Sequence, residues 1–323
     1  MDIRQQITND IIAAIENGVP PWRKGWTTGE LAFNASSGQS YKGINQIILG
    51  MQGTSDPRWM TYKQAEGMNV QVRKGERGVC VVKMIEMDRS RAERDSPVSD
   101  GGEVLATEGR KSLLMKAYTV FNACQIEGLA PWSKREASME PAEVVEAIVW
   151  GLQDTGLKLN FGGNQPAYYP RTDEIRMPVV EHFENIEQFH SVLLHESAHA
   201  SGHPKRLARL HMDARFGSPE YGREELRAEI ASSMMLGLVG LPPSPTMIEQ
   251  NAAYLSGWLA ALRNDKGEIF KAAADAQKIC DYLSERALSV SLTQQWNQTR
   301  KDSEEPAPPG PVDSIVRREA LRS

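Results

Sequence analysis

Apolar residues recur at helical spacing in several stretches of this chain and at alternate positions in others. Ile3, Ile7, Ile11 or Ile12, and Ile15 share one face of a predicted helix over Ile3–Asn17, which Gly18 and Pro20–Pro21 end. Glu143–Thr155, Asn251–Leu262 and Phe270–Leu283 carry the same period, with Pro242, Pro243 and Pro245 breaking the chain ahead of the last two. Asn185 reads as an N-cap answered by Gln188, followed by Phe189, Val192 and Leu193 and stopped by Gly202 and Pro204. Another helix opens near Tyr221 and runs through Leu226, Ile230, Met234, Met235 and Leu238. Alternation over Val70–Met87, around Lys74–Gly78, predicts a β-hairpin, and Ala117–Asn122 a further strand. Ala167–Pro178 predicts a second hairpin just before the capped helix.

The remaining stretches lack period. Asp88–Lys111 is rich in charge, Ser and Gly, and reads as a flexible loop that interrupts one sheet. Pro131–Pro141 reads as a linker, and the charged, Pro-rich residues after Thr299 as a disordered tail. The expected organisation is α+β: a mixed unit over residues 1–130, a linker at 131–141, a second unit over 142–298 and a tail at 299–323.

Composition narrows the class. A chain of 323 residues holds two ordinary domains, and 40% hydrophobic with 24% charged residues is a globular balance. No apolar run approaches the roughly 20 residues of a membrane span, so no membrane partner is expected. Met1–Gln6 lacks the features of a signal peptide, and Cys80, Cys124 and Cys280 are too scattered for a disulfide framework. A cytoplasmic location follows as the expectation, with the cysteines as small core residues. The net charge of −5 hides an asymmetry: Pro20–Lys83 carries nine basic residues against four acidic ones.

The sharpest chemical signal is His195-Glu196-Ser197-Ala198-His199, an H-E-x-x-H pattern on the capped helix. Residues four apart stack on one helical face, so both imidazoles can reach one metal ion. Glu196 can then act as general base on a water activated by that ion. The expected cofactor is one divalent ion per chain, zinc by motif. His203 is excluded as a further ligand, since it would stand more than about 11 Å from His195 along a continuing helix. Lys205 occupies the place of a third His in H-E-x-x-H-x-x-G-x-x-H. Glu229, on the apolar side of the next helix, is the expected third ligand, because a buried carboxylate wants a cation. Glu225, one turn earlier on that face, is its competitor. A salt bridge from Glu229 to Arg206 or Arg223 is the alternative use of that side chain. Glu224 and Arg227 read as a solvated pair.

The basic segment interleaves cations with aromatics, the composition of a single-stranded-nucleic-acid groove. Trp22, Arg23, Lys24, Trp26, Tyr41, Lys42, Lys63, Arg73, Lys74 and Arg77 are the candidate contacts. Each aromatic has a competing use as core, and Gly75-Glu76-Arg77-Gly78 reads as a hairpin turn rather than a backbone clamp.

The run from His195-Glu196 through Gly202-His203-Pro204, Arg206-Leu207, Phe216-Gly217-Ser218, Tyr221, Glu224-Glu225-Leu226 and Ala228-Glu229 resembles the zincin-type metallopeptidase domain of ArdC-like plasmid antirestriction proteins. Pro21–Trp26, Tyr41–Asn45, Trp59–Ala65 and Val72–Gly78 resemble the N-terminal single-stranded-DNA-binding domain that those proteins share with TraC-type primases. The resemblance covers most of the chain up to about Trp296. It implies a gluzincin-type site with His195, His199 and Glu229 as ligands and Glu196 catalytic. It also implies a role in conjugative transfer, protecting incoming DNA, with a protein substrate in host restriction-modification systems. The rival expectation is a single-stranded-DNA-binding module whose metal site is structural or inactive.

Overall fold

The longest β ladder joins Val79–Asp88 to Lys111–Asn122, antiparallel, on either side of the expected loop. The structure, a computed structural model, describes residues 2–18, 20–24, 30–88, 103–105, 111–134, 139–210, 218–241 and 252–301. Its N-terminal elements are α1 (Ile3–Glu16), α2 (Pro21–Lys24), β1 (Phe33–Asn34), α3 (Ile44–Gly50), β2 (Arg58–Thr61), α4 (Tyr62–Gly67), β3 (Gln71–Val72), β4 (Val79–Asp88), β5 (Glu103–Leu105), β6 (Lys111–Asn122) and β7 (Ile126–Glu127). The main sheet runs β1-β2-β6-β4, with β5 also pairing β6.

Val70–Met87 is not a hairpin. β3 pairs with β7 and β4 with β6, so the two runs that alternate in sequence go to different partners. The turn between them is sharp, with Gly75 at φ +88°. It is held from outside: Gln125 donates to the Arg77 carbonyl at 3.0 Å and to Glu76 at 3.0 Å. Alternation records which face is apolar and carries no information about the partner strand. Most of the expected loop (89–102 and 106–110), part of the expected linker (135–138) and most of the expected tail (302–323) lie outside the described residues.

The C-terminal elements are α5 (Pro141–Gln153), β8 (Lys158–Phe161), β9 (Ala167–Tyr169), β10 (Glu174–Met177), α6 (Ile186–Ser201), α7 (Pro219–Val239), α8 (Ala252–Asn264) and α9 (Glu268–Lys301). β9 and β10 form the expected hairpin, and β8 joins β10 in parallel, leaving β9 at an edge. Helices α5, α6, α7 and α9 pack around one apolar cluster that includes Val145, Ile148, Leu194, Ile230, Met234, Ile279 and Leu283. Helix α9 runs far past the expected end at Leu283. Among the described residues no helix is long and apolar enough to cross a membrane.

That cluster does not stop at the linker. Ile7, Ile11 and Ile15 of α1, Trp22 of α2, and Ile44 and Ile47 of α3 belong to it. The Trp22 ring meets Trp258 of α8 edge to face, 5.8 Å between centroids. Thr8 donates to the Lys266 carbonyl at 2.9 Å, and Gln277 accepts from the Gly43 amide at 3.0 Å. Gly43 has φ +57°, in the left-handed region that favours glycine. Of the cysteines only Cys280 is buried; Cys80 and Cys124 are exposed, which corrects their reading as core.

Helices α5 and α9 approach closely at Gly151. A Cβ there would meet the Arg286 Cβ at 2.7 Å and its carbonyl oxygen at 2.8 Å. Backbone cannot yield as a flexible side chain can. Gly151→Ala is therefore expected to destabilise the protein by about 1–3 kcal/mol, the usual cost of overpacking. Chemical denaturation checks this, and an unchanged midpoint would mean that the helices can move apart at no cost.

Candidate metal centre and basic surface

Helix α6 starts where Asn185 accepts from the Gln188 amide at 2.8 Å. The Gln188 side chain in turn accepts from the Glu184 amide at 2.7 Å. The helix stops at Gly202. His190, Ser191, His195, Glu196, Ser197 and Ser201 are all buried on it, more polar burial than a structural helix carries. Helix α7 starts from Ser218, whose hydroxyl accepts from the Tyr221 amide, with Pro219 at its first position. It packs against α6 with Glu225 and Glu229 buried. His195 lies nearest the later glutamates and His199 nearest the earlier ones, so the helices run antiparallel here.

Three donors converge between these helices. His195 Nε2 and His199 Nε2 are 3.1 Å apart. Glu225 Oε2 lies 3.6 Å from His195 Nε2, and Glu225 Oε1 lies 3.4 Å from His199 Nε2. A four-coordinate ion with N and O ligands at about 2.0–2.2 Å separates its ligand atoms by roughly 3.3–3.5 Å. This triangle thus fits one divalent ion. Among the described residues, His195, His199 and Glu225 are the group of potential ligands close enough to share one.

The expected third ligand, Glu229, stands elsewhere. Its Oε2 is 3.6 Å from His195 Nδ1, behind the ring rather than in front of it. The axial offset of α7 against α6 brings the earlier turn level with both Nε2 atoms, so Glu225 takes the place assigned to Glu229. The two arginines considered as partners of Glu229 meet other carboxylates. Arg206 is wholly buried and pairs with Asp173, and Arg223 reaches Glu220 and Glu268. His203 lies 3.7 Å from Asp173 and turns away from the cluster.

A second carboxylate departs from expectation. Glu224 is not a solvated partner of Arg227, which instead pairs with Glu268 and Asp275 at 3.0 and 2.9 Å. Glu224 Oε1 lies 3.2 Å from His199 Nδ1. Arg209 grips that carboxylate with two bonds, at 2.7 and 2.9 Å, and also donates to the Ala198 carbonyl at 2.7 Å. Such a partner fixes which imidazole nitrogen carries the proton and aims the other forward. Nothing in the periodicity marks Arg209, because it follows the helix in an irregular segment.

The charges answer one another. Burial pushes both imidazoles down, but facing carboxylates outweigh it. His195 is raised, chiefly by Glu225, and His199 is raised well above its ordinary value by Glu225 and Glu224. Burial would raise Glu225, yet the two imidazoles hold it well below the usual carboxylate range. The pocket therefore favours positive charge between these side chains, as protons or as a metal ion. It opens into a cleft of about 1280 Å³ lined by Glu196, Tyr168, Tyr169, Arg171, Arg176 and Tyr221 among others. The edge strand β9 forms part of that wall.

The basic segment is arranged differently from the expectation. Trp22 is 0% exposed and belongs to the core, because its indole fills the junction between α1, α3 and α8. It cannot stack a base. The side chains of Arg23 and Lys24, and all of Trp26, lie outside the described residues. Tyr41 is half-buried, its hydroxyl 3.3 Å from the Asn34 amide nitrogen. Lys42 is exposed and pairs with Asp281 of α9 at 3.4 Å. Lys63, Lys74 and Arg77 are exposed, and Arg73 pairs with Glu76 at 3.0 Å. Among the described residues, the exposed rings of this unit are Tyr62 and Tyr118, and Tyr118 lies outside the basic segment.

Comparison with known proteins agrees with both halves. The zincin-like metallopeptidase family matches residues 144–275, and the N-terminal domain of anti-restriction factor ArdC matches residues 1–121. Two Escherichia coli proteins, each called DNA primase TraC, are 38% identical over 94% and 86% of the chain. The chain spans only 28% and 19% of their lengths. The uncharacterized protein y4eC of Sinorhizobium fredii is 35% identical, over 87% of this chain and 91% of that protein. The crystal structure of the metal-free antirestriction ArdC protein from R388 plasmid superposes with a TM-score of 0.71 at 36% identity, covering 90% of this chain and 99% of that one. The Mn(II)-bound structure of the same protein gives 0.71 at 35% identity, over 89% and 98%.

The geometry separates the three glutamates by experiment. Glu225→Ala is expected to lose more divalent-metal affinity than the roughly 10–100-fold expected when a carboxylate behind a ligand is removed, as in Glu224→Ala or Glu229→Ala. Competition titration with Zn(II) and Mn(II) measures this. If Glu229→Ala loses most of the affinity and Glu225→Ala keeps it, the third ligand is Glu229.

Proposed function

Because the chain belongs to the family of ArdC antirestriction proteins, we propose that it serves conjugative plasmid transfer, protecting incoming DNA through single-stranded-DNA binding and a metal-dependent peptidase. The observation that carries the peptidase reading is the Nε2–Nε2–carboxylate triangle with Glu196 beside it, at the floor of a cleft open enough for a polypeptide. His195, His199 and Glu225 would hold a divalent ion, with zinc the expected metal and the Mn(II)-bound relative supporting a divalent one. Such an ion, when bound, polarises a carbonyl and lowers the pKa of water to about 7. Glu196 takes the proton of the attacking water and returns it to the leaving amine. Glu224, clamped by Arg209, keeps His199 in the tautomer that points Nε2 forward. The edge of β9, which has no strand partner among the described residues, offers backbone groups to an extended peptide.

The DNA reading rests on the match of residues 1–121 to the N-terminal domain of ArdC and on the excess of basic residues over Pro20–Lys83. The protein substrate is expected among components of host restriction-modification systems, acting in the cytoplasm of the recipient or donor cell.

The decisive variant is Glu196→Gln, which keeps shape and removes the base. It is expected to lower peptidase turnover by about 10²–10⁴-fold, the usual contribution of a general base. Metal affinity should stay close to that of the parent. Plasmid establishment in a restricting recipient, compared with a non-restricting one, reads out the biological role. Full protection by the Glu196→Gln protein would separate antirestriction from proteolysis.

A further inference from the structure

In the β4–β6 ladder, Lys83 stands directly across from Lys116, and Val81 across from Tyr118. Cross-strand partners share a face, and positions two apart on a strand return to it. Lys83, Lys116 and Tyr118 therefore lie on one face of the main sheet. At one end that face is covered, with Val81 and Val120 buried beside Trp59 and Leu49. Between them and Leu114, which is buried again on the same face, it opens: Tyr118 is 41% exposed, Lys83 is exposed and Lys116 partly so.

Two ammonium groups placed directly opposite repel each other and destabilise the ladder. Among the described residues, no acidic group is within ion-pair distance of either lysine. The other edge of β6 is also open here. β2 pairs Val120–Asn122 and β5 pairs Leu113–Met115, so among the described residues Lys116–Thr119 has no strand partner on that side. The arrangement combines two lysines with no described acidic partner, an exposed aromatic ring and, among the described residues, an unpaired strand edge over Lys116–Thr119. Side chains two residues apart on a strand are separated by about 6.8 Å, close to one step of an extended nucleotide chain.

We propose that this face is where single-stranded DNA is held, with Lys83 and Lys116 contacting phosphates and the Tyr118 ring stacking an unpaired base. The inference rests on the reading of the chain as a single-stranded-DNA-binding protein, and it moves the contact from Trp22 and its neighbours to the sheet. An anion between the lysines removes their repulsion, and a base covers the exposed part of the ring.

The test is fluorescence anisotropy of the full chain with a labelled oligothymidylate across a salt series. Lys83→Gln with Lys116→Gln should weaken binding and flatten the salt dependence by about 0.7 for each phosphate that is no longer neutralised. Its Tm should equal or exceed the parent's, because a repulsive pair has been removed. Tyr118→Ala should weaken binding on the order of tenfold or more with the salt dependence unchanged, as for other stacking rings. Tyr118→Trp should restore it. Lys74→Gln with Arg77→Gln, on the turn before β4, serves as a basic control and should cost less than the lysine pair. If the parent binds and both the lysine-pair and Tyr118→Ala proteins bind equally well, the site is elsewhere and the DNA reading stands. If the parent does not bind the oligonucleotide, both fall.

Discussion

Charge compensation inside the α6–α7 interface is the constraint on which the C-terminal half depends. Two imidazoles and three glutamates meet with their side chains largely buried between the helices. An unpaired charge in such a place costs several kcal/mol, so each group must be answered by another. Glu225 faces both Nε2 atoms, while Glu224 and Glu229 stand behind the two rings. Arg209 balances Glu224 and ties it to the end of α6. The same arrangement that keeps the helices together leaves a triangle of lone pairs suited to a divalent ion.

A second buried pair holds the cleft wall in place. Arg206, just beyond α6, reaches Asp173 and Thr155, and Tyr168 on β9 donates to Asp173 at 3.0 Å. Burial and the Asp173 carboxylate push the Tyr168 phenol far above its ordinary value, so it remains a donor. The edge strand is thereby fixed relative to the helix that carries His195 and His199. Breaking one partner of such a pair leaves a buried charge, which typically costs about 3–5 kcal/mol.

The two halves are joined by packing rather than only by a linker. Ile7, Ile11, Ile15 and Trp22 fill the same apolar cluster as the helices of the metal-bearing half. Cutting the chain at 131–141 would uncover these side chains, whatever the covalent boundary suggests. The main sheet is thus held in a set relation to the cleft.

The helix over Ile186–Ser201, its cap and its stop are legible in the sequence, because spacing and local hydrogen bonding act within a few residues. So are the placing of His195 and His199 one turn apart, the β9–β10 hairpin and the basic bias of Pro20–Lys83. Relations between elements are not, because periodicity says which face is apolar and not what it meets. Glu225 and Glu229 lie on the same face one turn apart, and only the axial offset of α7 against α6 chooses Glu225. Alternation over Val70–Met87 is real, yet the two strands pair elsewhere. Trp22, next to Arg23 and Lys24 in sequence, becomes core because α8 brings Trp258 against it from a distant part of the chain. Local chemistry is written in neighbouring residues; partner, offset and burial are decided where distant segments pack.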